Sequence, residues 1–551
     1  MRLYYWKLAV AFRFLLTVLP QNGYIHPDEF FQTSEVVAGD VFNFEVLRSW
    51  EFEENFPIRC IVFPYLTAGI PFLVMNKLLS PILSLNENPL LLLLIPRLVM
   101  FCLMLGQDWC LYKICKMFKK NYVYSLFIFS TSYVTIVFYT RTFSNSIESL
   151  LFSFLLLVVS KVIYELSKSN NDTNDIPYGN LIGLLLALGI YNRPTFIIFA
   201  FVPVLFWLQI GLKKNVLSFI VMFCRLLTVI PTFVIVCFLL TLIDTIYYSK
   251  TSISHLFNHL EDIFYLFQNL IFTPINFIHY NLDNSNLAIH GIHPRFLHLL
   301  INVPLLFGIL GLMGIFYYIQ ILLKMVKGLW PFHDLLPHNS IMLMSFVFPI
   351  LTLSLFCHQE PRFLISVLLP LCFLFSDSIY GYTLKKQWLF MMWILSNLFC
   401  GFFFGFVHQG GLIPSMISLQ KVLMKNNKLG INSHVIFYHT YMPPRYLLNL
   451  NLTDPSFIYD LSGNDYIIFE NTVNDILSKA HFNETVKLYV VIPNTISEQI
   501  LNSKFVLLTK FYPHFSSEDP PNFKEFYSKQ WTFDVFKRFF GLFSLNLYEK
   551  Q

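Results

Sequence analysis

The sequence predicts a polytopic α-helical membrane protein of about eleven spans, followed by a small α/β region at the C-terminal end. Three observations carry this. The 551 residues are 55% hydrophobic and 13% charged, with a mean hydropathy of +0.57, and that charged fraction is about half the usual one for a soluble protein. Apolar stretches such as 150–163 and 216–243 run for bilayer lengths with few charges. After His408-Gln409-Gly410-Gly411 the hydrophobicity drops, and 425–551 reads as a water-facing tail. The net charge of +5 is small and falls in short Lys/Arg clusters at span ends, so it speaks to topology and gives no case for nucleic acid.

Taken in order, Met1 to Pro20 carries Arg2, Lys7 and Arg13 without a small-residue cleavage site, which predicts a retained first span over 2–20. Further spans are predicted at 89–112, 121–140, 146–165, 180–192, 195–212, 216–243, 296–323, 340–357, 362–383 and 388–408. The apolar segment 61–79 is interrupted by Pro64, Gly69 and Pro71, and a full crossing there would put Lys113, Lys116, Lys119 and Lys120 on the wrong side. It is therefore expected to be a re-entrant or interfacial helix. With a cytosolic N-terminus, Lys113–Lys120, Lys213–Lys214, Lys324–Lys327 and Lys385–Lys386 all fall in cytosolic loops.

The expected organisation is a first transmembrane helix (1–20), a first lumenal loop with the re-entrant helix (21–88), a multi-span domain (89–410) and a lumenal C-terminal region (411–551). Within the tail, 465–469, 487–492 and 505–509 are strand-like, and 473–480 and 496–504 are helical. Sequons at Asn451 and Asn483 are compatible with a lumenal tail, and 170–180 is a polar loop. Eight of nine cysteines lie in or beside apolar segments, as core residues do, and Cys60 alone sits in a polar loop.

The same orientation sorts the polar motifs onto one face. His26-Pro27-Asp28-Glu29-Phe30-Phe31-Gln32 follows the first span. Pro27 suits a first helical turn, which sets Asp28 and Glu29 at the positive end of the helix dipole. Standing alone, such a triplet is an ordinary acidic helix start. Around it, on the same face, emerge Arg141 to Asn145, Asn192-Arg193-Pro194-Thr195, His290-Gly291-Ile292-His293-Pro294-Arg295 and His358-Gln359-Glu360-Pro361-Arg362-Phe363. A carboxylate that takes a proton and cations that grip a phosphate are what transfer from a lipid phosphate requires. Arg141 and Arg193 also flank span ends, where a snorkelling arginine is common, and Glu360 either pairs with Arg362 or meets substrate. No HExxH or Asp-x-Asp occurs and no metal is expected. No Gly-rich phosphate loop precedes a helix, and no cofactor is expected.

Four of these motifs, His-Pro-Asp-Glu-Phe-Phe-Gln (26–32), Arg-Thr-Phe-Ser-Asn-Ser-Ile-Glu (141–148), Asn-Arg-Pro-Thr (192–195) and His-Gln-Glu-Pro-Arg-Phe (358–363), resemble the motif set of glycosyltransferase family 22. Those are dolichyl-phosphate-mannose-dependent mannosyltransferases of the endoplasmic reticulum with a GT-C fold. Three further stretches, 35–40 with Trp50-Glu51-Phe52, 274–277 with 287–295, and Phe406-Val407-His408-Gln409-Gly410-Gly411, resemble the branch of that family acting on the GPI precursor. The resemblance implies transfer of a fourth mannose, in α1,2 linkage, onto the third mannose of that lipid, on the lumenal face. Asp28 is then the expected base and Glu29 its alternative or partner. His26, Arg141, Asn145, Arg193, His290, His293, Arg295, His358, Glu360 and Arg362 are the expected phosphate or substrate ligands. Sister acceptors, the GPI precursor's third mannose or an N-glycan precursor, share these residues. A polar-solute transporter calls for charges at mid-membrane in both halves, whereas here they crowd one face.

Overall fold

The computed structural model describes residues 4–79, 88–168, 178–212, 216–250, 266–283, 285–286, 291–327, 336–380, 383–479, 486–500, 504–526 and 532–551. Among the described residues, six helices are long and apolar enough to cross a bilayer: Pro89–Met117, Ser144–Lys168, Phe219–Tyr248, His298–Val326, Pro361–Ile379 and Lys386–Val407. This is a multi-pass membrane protein. The other five predicted spans are helical but shorter. Tyr4–Val18 has 15 residues, and Tyr122–Thr131, Gly179–Asn192, Phe196–Gln209 and Pro337–Leu353 are apolar helices of 10 to 17. The segment Val62–Leu78 is also helical, with π-helical turns at Tyr65–Gly69 and Met75–Leu79.

The chain divides into two units, residues 1–15, 49–66 and 98–398 in the first, and 16–48, 67–97 and 399–551 in the second. In the first unit, Arg13 and Asp108, both buried inside spans, are paired. Arg13 reaches Asp108 (2.7 Å), whose other oxygen accepts from Trp6 (3.1 Å) and Ser130 (3.0 Å). An unpaired charge in hydrocarbon costs several kcal/mol, so such residues sort onto one another. The predicted span 121–140 breaks at Ser132, where the backbone turns extended, and the Asn397 side chain accepts the freed Tyr133 N–H (2.7 Å). Helix Gly179–Asn192 lies so close to helix Val216–Tyr248 that a Cβ on Gly183 meets the Val229 carbonyl oxygen, which requires glycine.

In the second unit a five-stranded sheet is built from β1 (Asn432–Phe437), β2 (Ser456–Asp460), β3 (Val486–Pro493), β4 (Phe505–Phe511) and β5 (Leu545–Lys550), in the order β2-β1-β3-β5-β4. β1 pairs in parallel with β2 and β3; β5 pairs antiparallel with β3 and β4. Ile436, Leu488, Val490 and Ile492 meet Phe469, Val473 and Ile476 in its core. The expected strands at 487–492 and 505–509 fall within β3 and β4. The strand expected at 465–469 is instead the first part of helix Tyr466–Lys479. Its β-branched run misled: Phe469, Val473 and Ile476 recur at helical spacing and are buried, while Ile467 and Ile468 are exposed. Asn483, Lys213 and Lys214 lie outside the described residues.

Candidate functional site

Two polar groupings arise, one in each unit. In the second unit the helix begins at Asp28, directly after Pro27, whose carbonyl accepts from Phe30 N (2.9 Å) and Phe31 N (3.0 Å). It runs through a π-helical turn, Phe30–Ser34, into Glu35–Phe42. The adjacent carboxylates, about 100° apart around that helix, meet opposite surroundings. The Asp28 side chain is 21% exposed, with Oδ1 3.1 Å from His26 Nδ1 and Oδ2 accepting from Gln32 Nε2. The Asp28 backbone N–H donates to the same His26 nitrogen (3.2 Å).

Glu29 is 2% exposed and its Oε1 accepts from Arg97 Nε (2.8 Å) and Nη2 (2.6 Å), while Arg97 Nη1 donates to the Gln21 carbonyl (2.8 Å). Six residues on, Glu35 is fully buried. Its Oε1 accepts from Leu47 N (3.1 Å) and Arg445 N (3.1 Å), and its Oε2 from Tyr446 N (3.2 Å). Arg445 and Tyr446 open a 3₁₀ turn, Arg445–Leu448, so Glu35 satisfies two orphan donors of its first turn. Burial pushes the Glu35 carboxyl up to about 8, against the pull of those N–H groups and of the Arg445 charge.

In the first unit, Arg193 is buried at the end of helix Gly179–Asn192. Its Nη1 donates to Ser144 Oγ (3.1 Å) and Asn145 Oδ1 (3.4 Å), and its Nε to Thr195 Oγ1 (3.4 Å). Thr195 donates to Glu148 (2.9 Å), which also lies 3.9 Å from Arg193. Glu360 is extended and leads into the 3₁₀ helix Pro361–Val367, which carries Arg362. Glu360 accepts from Arg362 Nη2 (3.0 Å) and, at its other oxygen, from Arg362 Nε. His358 Nε2 stands 2.8 Å from Glu360 Oε1. The Arg193 and Arg362 guanidiniums share the Phe363 ring, 5.4 and 5.6 Å from its centroid, and the His293 and His358 rings are 5.6 Å apart.

Arg193, Arg362, Phe363, His358, His293, Glu360 and Asn145 are thereby brought into one network. Arg141 is fully buried with Nε on the Val137 carbonyl (3.1 Å), and Arg295 is exposed with Nη1 on the Leu355 carbonyl. His290 lies outside the described residues. Three residues escaped sequence reading. Arg97 carried a signal, since an arginine inside an apolar run demands a partner. Glu35 resembled any helical acid. Gln359, buried between His298 N (3.0 Å) and the Ser354 and Phe356 carbonyls (3.1 Å each), holds the 358–362 segment and had no local signature.

Bilayer-length helices with an acidic helix start in one unit and an arginine–histidine network in the other define a multi-pass membrane protein with groups for proton and anion chemistry. The chain belongs to the Alg9-like mannosyltransferase family, whose model matches residues 4–448. It is a glycosyltransferase. The human protein named GPI alpha-1,2-mannosyltransferase 4 is 33% identical over 96% of this chain and 91% of its own. GPI mannosyltransferase 4 of Drosophila melanogaster is 30% identical over 93% and 86%, and that of Candida albicans 30% over 84% and 83%.

Proposed function

We propose that this chain is the α1,2-mannosyltransferase of the endoplasmic reticulum that moves mannose from dolichyl-phosphate-mannose to the third mannose of the GPI precursor. The observation that carries this reading is the likeness to the human relative of that name over 96% of the chain. On this reading the architecture is GT-C, with about eleven crossings, the five shorter apolar helices completing the six long ones, and both lipids enter from the lumenal side.

Asp28 accepts the proton of the acceptor hydroxyl, whose oxygen bonds to the anomeric carbon. The bond from that carbon to the phosphate oxygen breaks, and its electron pair leaves with dolichyl phosphate. One displacement inverts the β-linked donor to the α-linked product, so no enzyme nucleophile takes part. Asp28 suits the base because it is the accessible carboxylate, held by His26 and Gln32. Glu29, committed to Arg97, positions the helix start. Arg193, Arg362 and His358 stabilise charge as it grows on the departing phosphate, and Glu148 and Glu360 keep the two guanidiniums aligned.

Microsomes supplied with dolichyl-phosphate-mannose and a three-mannose GPI precursor test this. Wild type yields a four-mannose lipid and folded Asp28→Asn loses it, by roughly 10²-fold or more. Failure of folded wild type to make that lipid would overturn the acceptor assignment, and retained turnover in Asp28→Asn would overturn the base.

A further inference from the structure

Phe533–Gly541 is a nine-residue helix capped by Thr532, whose Oγ1 accepts from Val535 N (3.4 Å). At about 100° per residue, Val535, Phe539, Phe536, Phe540 and Phe533 form one continuous arc, Lys537 borders it beside Phe533, and Asp534 and Arg538 lie opposite. Only part of that arc is used internally. Phe539 packs on Phe526 (5.5 Å), Phe543 (5.6 Å) and Phe523 (5.8 Å). Phe533, Phe536 and Phe540 stay 80%, 51% and 49% exposed, the last two with their rings 4.5 Å apart.

This helix is tied to the end of a bilayer-length one. Phe543 lies 6.4 Å from Phe515, and Phe515 lies 5.6 Å from Phe403 in the final π-helical turn of Lys386–Val407. Backbone bonds from Phe515 N to the Val407 carbonyl (3.0 Å) and from Gln409 N to the Phe515 carbonyl (2.9 Å) lock that junction. The aromatic helix is therefore joined, through Phe543 and Phe515, to the residues at which a bilayer-length helix ends, and such an end marks the boundary between hydrocarbon and water.

We propose that Phe533–Gly541 lies in the membrane interface, with Phe533, Phe536 and Phe540 inserted at the headgroup–acyl boundary and Lys537 reaching lipid phosphate. A bilayer fits this face better than a second protein, because the rings are bordered by a lysine that complements phosphate and the helix is joined through Phe543 and Phe515 to the end of a bilayer-length helix. The helix then anchors the five-stranded sheet at the surface from which lipid substrates arrive.

The test uses the full chain in proteoliposomes of phosphatidylcholine containing phosphatidylinositol, with the photocrosslinker p-benzoyl-phenylalanine placed at position 536, 540 or 538 in turn. Phospholipid adducts several-fold more abundant at 536 and 540 than at 538 are expected. Equal lipid yields at all three positions, absence of lipid adducts at 536 and 540, or adducts to protein at those positions would overturn the proposal. Position 540 serves if the variant at 536 does not fold, and the readout does not depend on transfer activity.

Discussion

Glu29 and Arg97 illustrate how a single step along the backbone, from Asp28 to Glu29, separates chemistry from structure. Both are almost fully buried, and Arg97 spends Nε and Nη2 on one carboxylate oxygen and Nη1 on the Gln21 carbonyl. Removing one member leaves a charge stranded in low dielectric, whereas replacing both with apolar or neutral groups of similar shape does not. Arg97→Ala is therefore expected to destabilise the protein by about 3–5 kcal/mol, and Arg97→Met combined with Glu29→Gln to recover most of it. Melting midpoints in detergent for the two variants check this, and equal losses would contradict it. The acidic pair itself was legible, since Pro-Asp-Glu after an apolar span reads as a helix start. Which of the two faces outward was not, because that depends on Arg97, nearly seventy residues away in sequence.

At the scale of elements, helix Glu35–Phe42 is held through Glu35 onto the 3₁₀ turn Arg445–Leu448 and the Leu47 backbone. Its carboxyl is raised from an ordinary 4.5 to about 8 by burial, so between those values the unfolded chain has lost a proton that the folded one keeps. Stability from this group is accordingly greatest below pH 4.5, falls as pH rises to about 8, and is level beyond. Wild type minus Glu35→Gln in melting midpoint should fall across that window, and a flat difference would place the proton elsewhere. The tail shows what periodicity reads and misses. β3 was visible as a continuous apolar run. β1, β2 and β5 went unread because their short, mixed sequences become strands only by pairing with β3 or with one another.

Over the whole molecule, sidedness has an accessible reporter among the described residues. Asn451, in Asn451-Leu452-Thr453, is exposed, and its backbone N–H is fixed by Asp454 (2.7 Å). A lumenal tail predicts a glycan there: in an Asn483→Gln background, peptide N-glycosidase should shift the chain's mobility, and Asn451→Gln should abolish the shift. An unglycosylated tail cleaved by protease from the cytosolic side would reverse the orientation. By itself the sequence determined the membrane class, the helical segments, the motifs and the polar residues worth attention, because apolar length, positive-charge bias and turn chemistry are local properties. Only the tertiary structure decided which charge pairs with which: Glu29 with Arg97, Glu360 with Arg362 and His358, Glu35 with the backbone of 445–446. A buried charge takes whatever partner folding delivers, and that partner's distance along the chain leaves no mark in the local pattern.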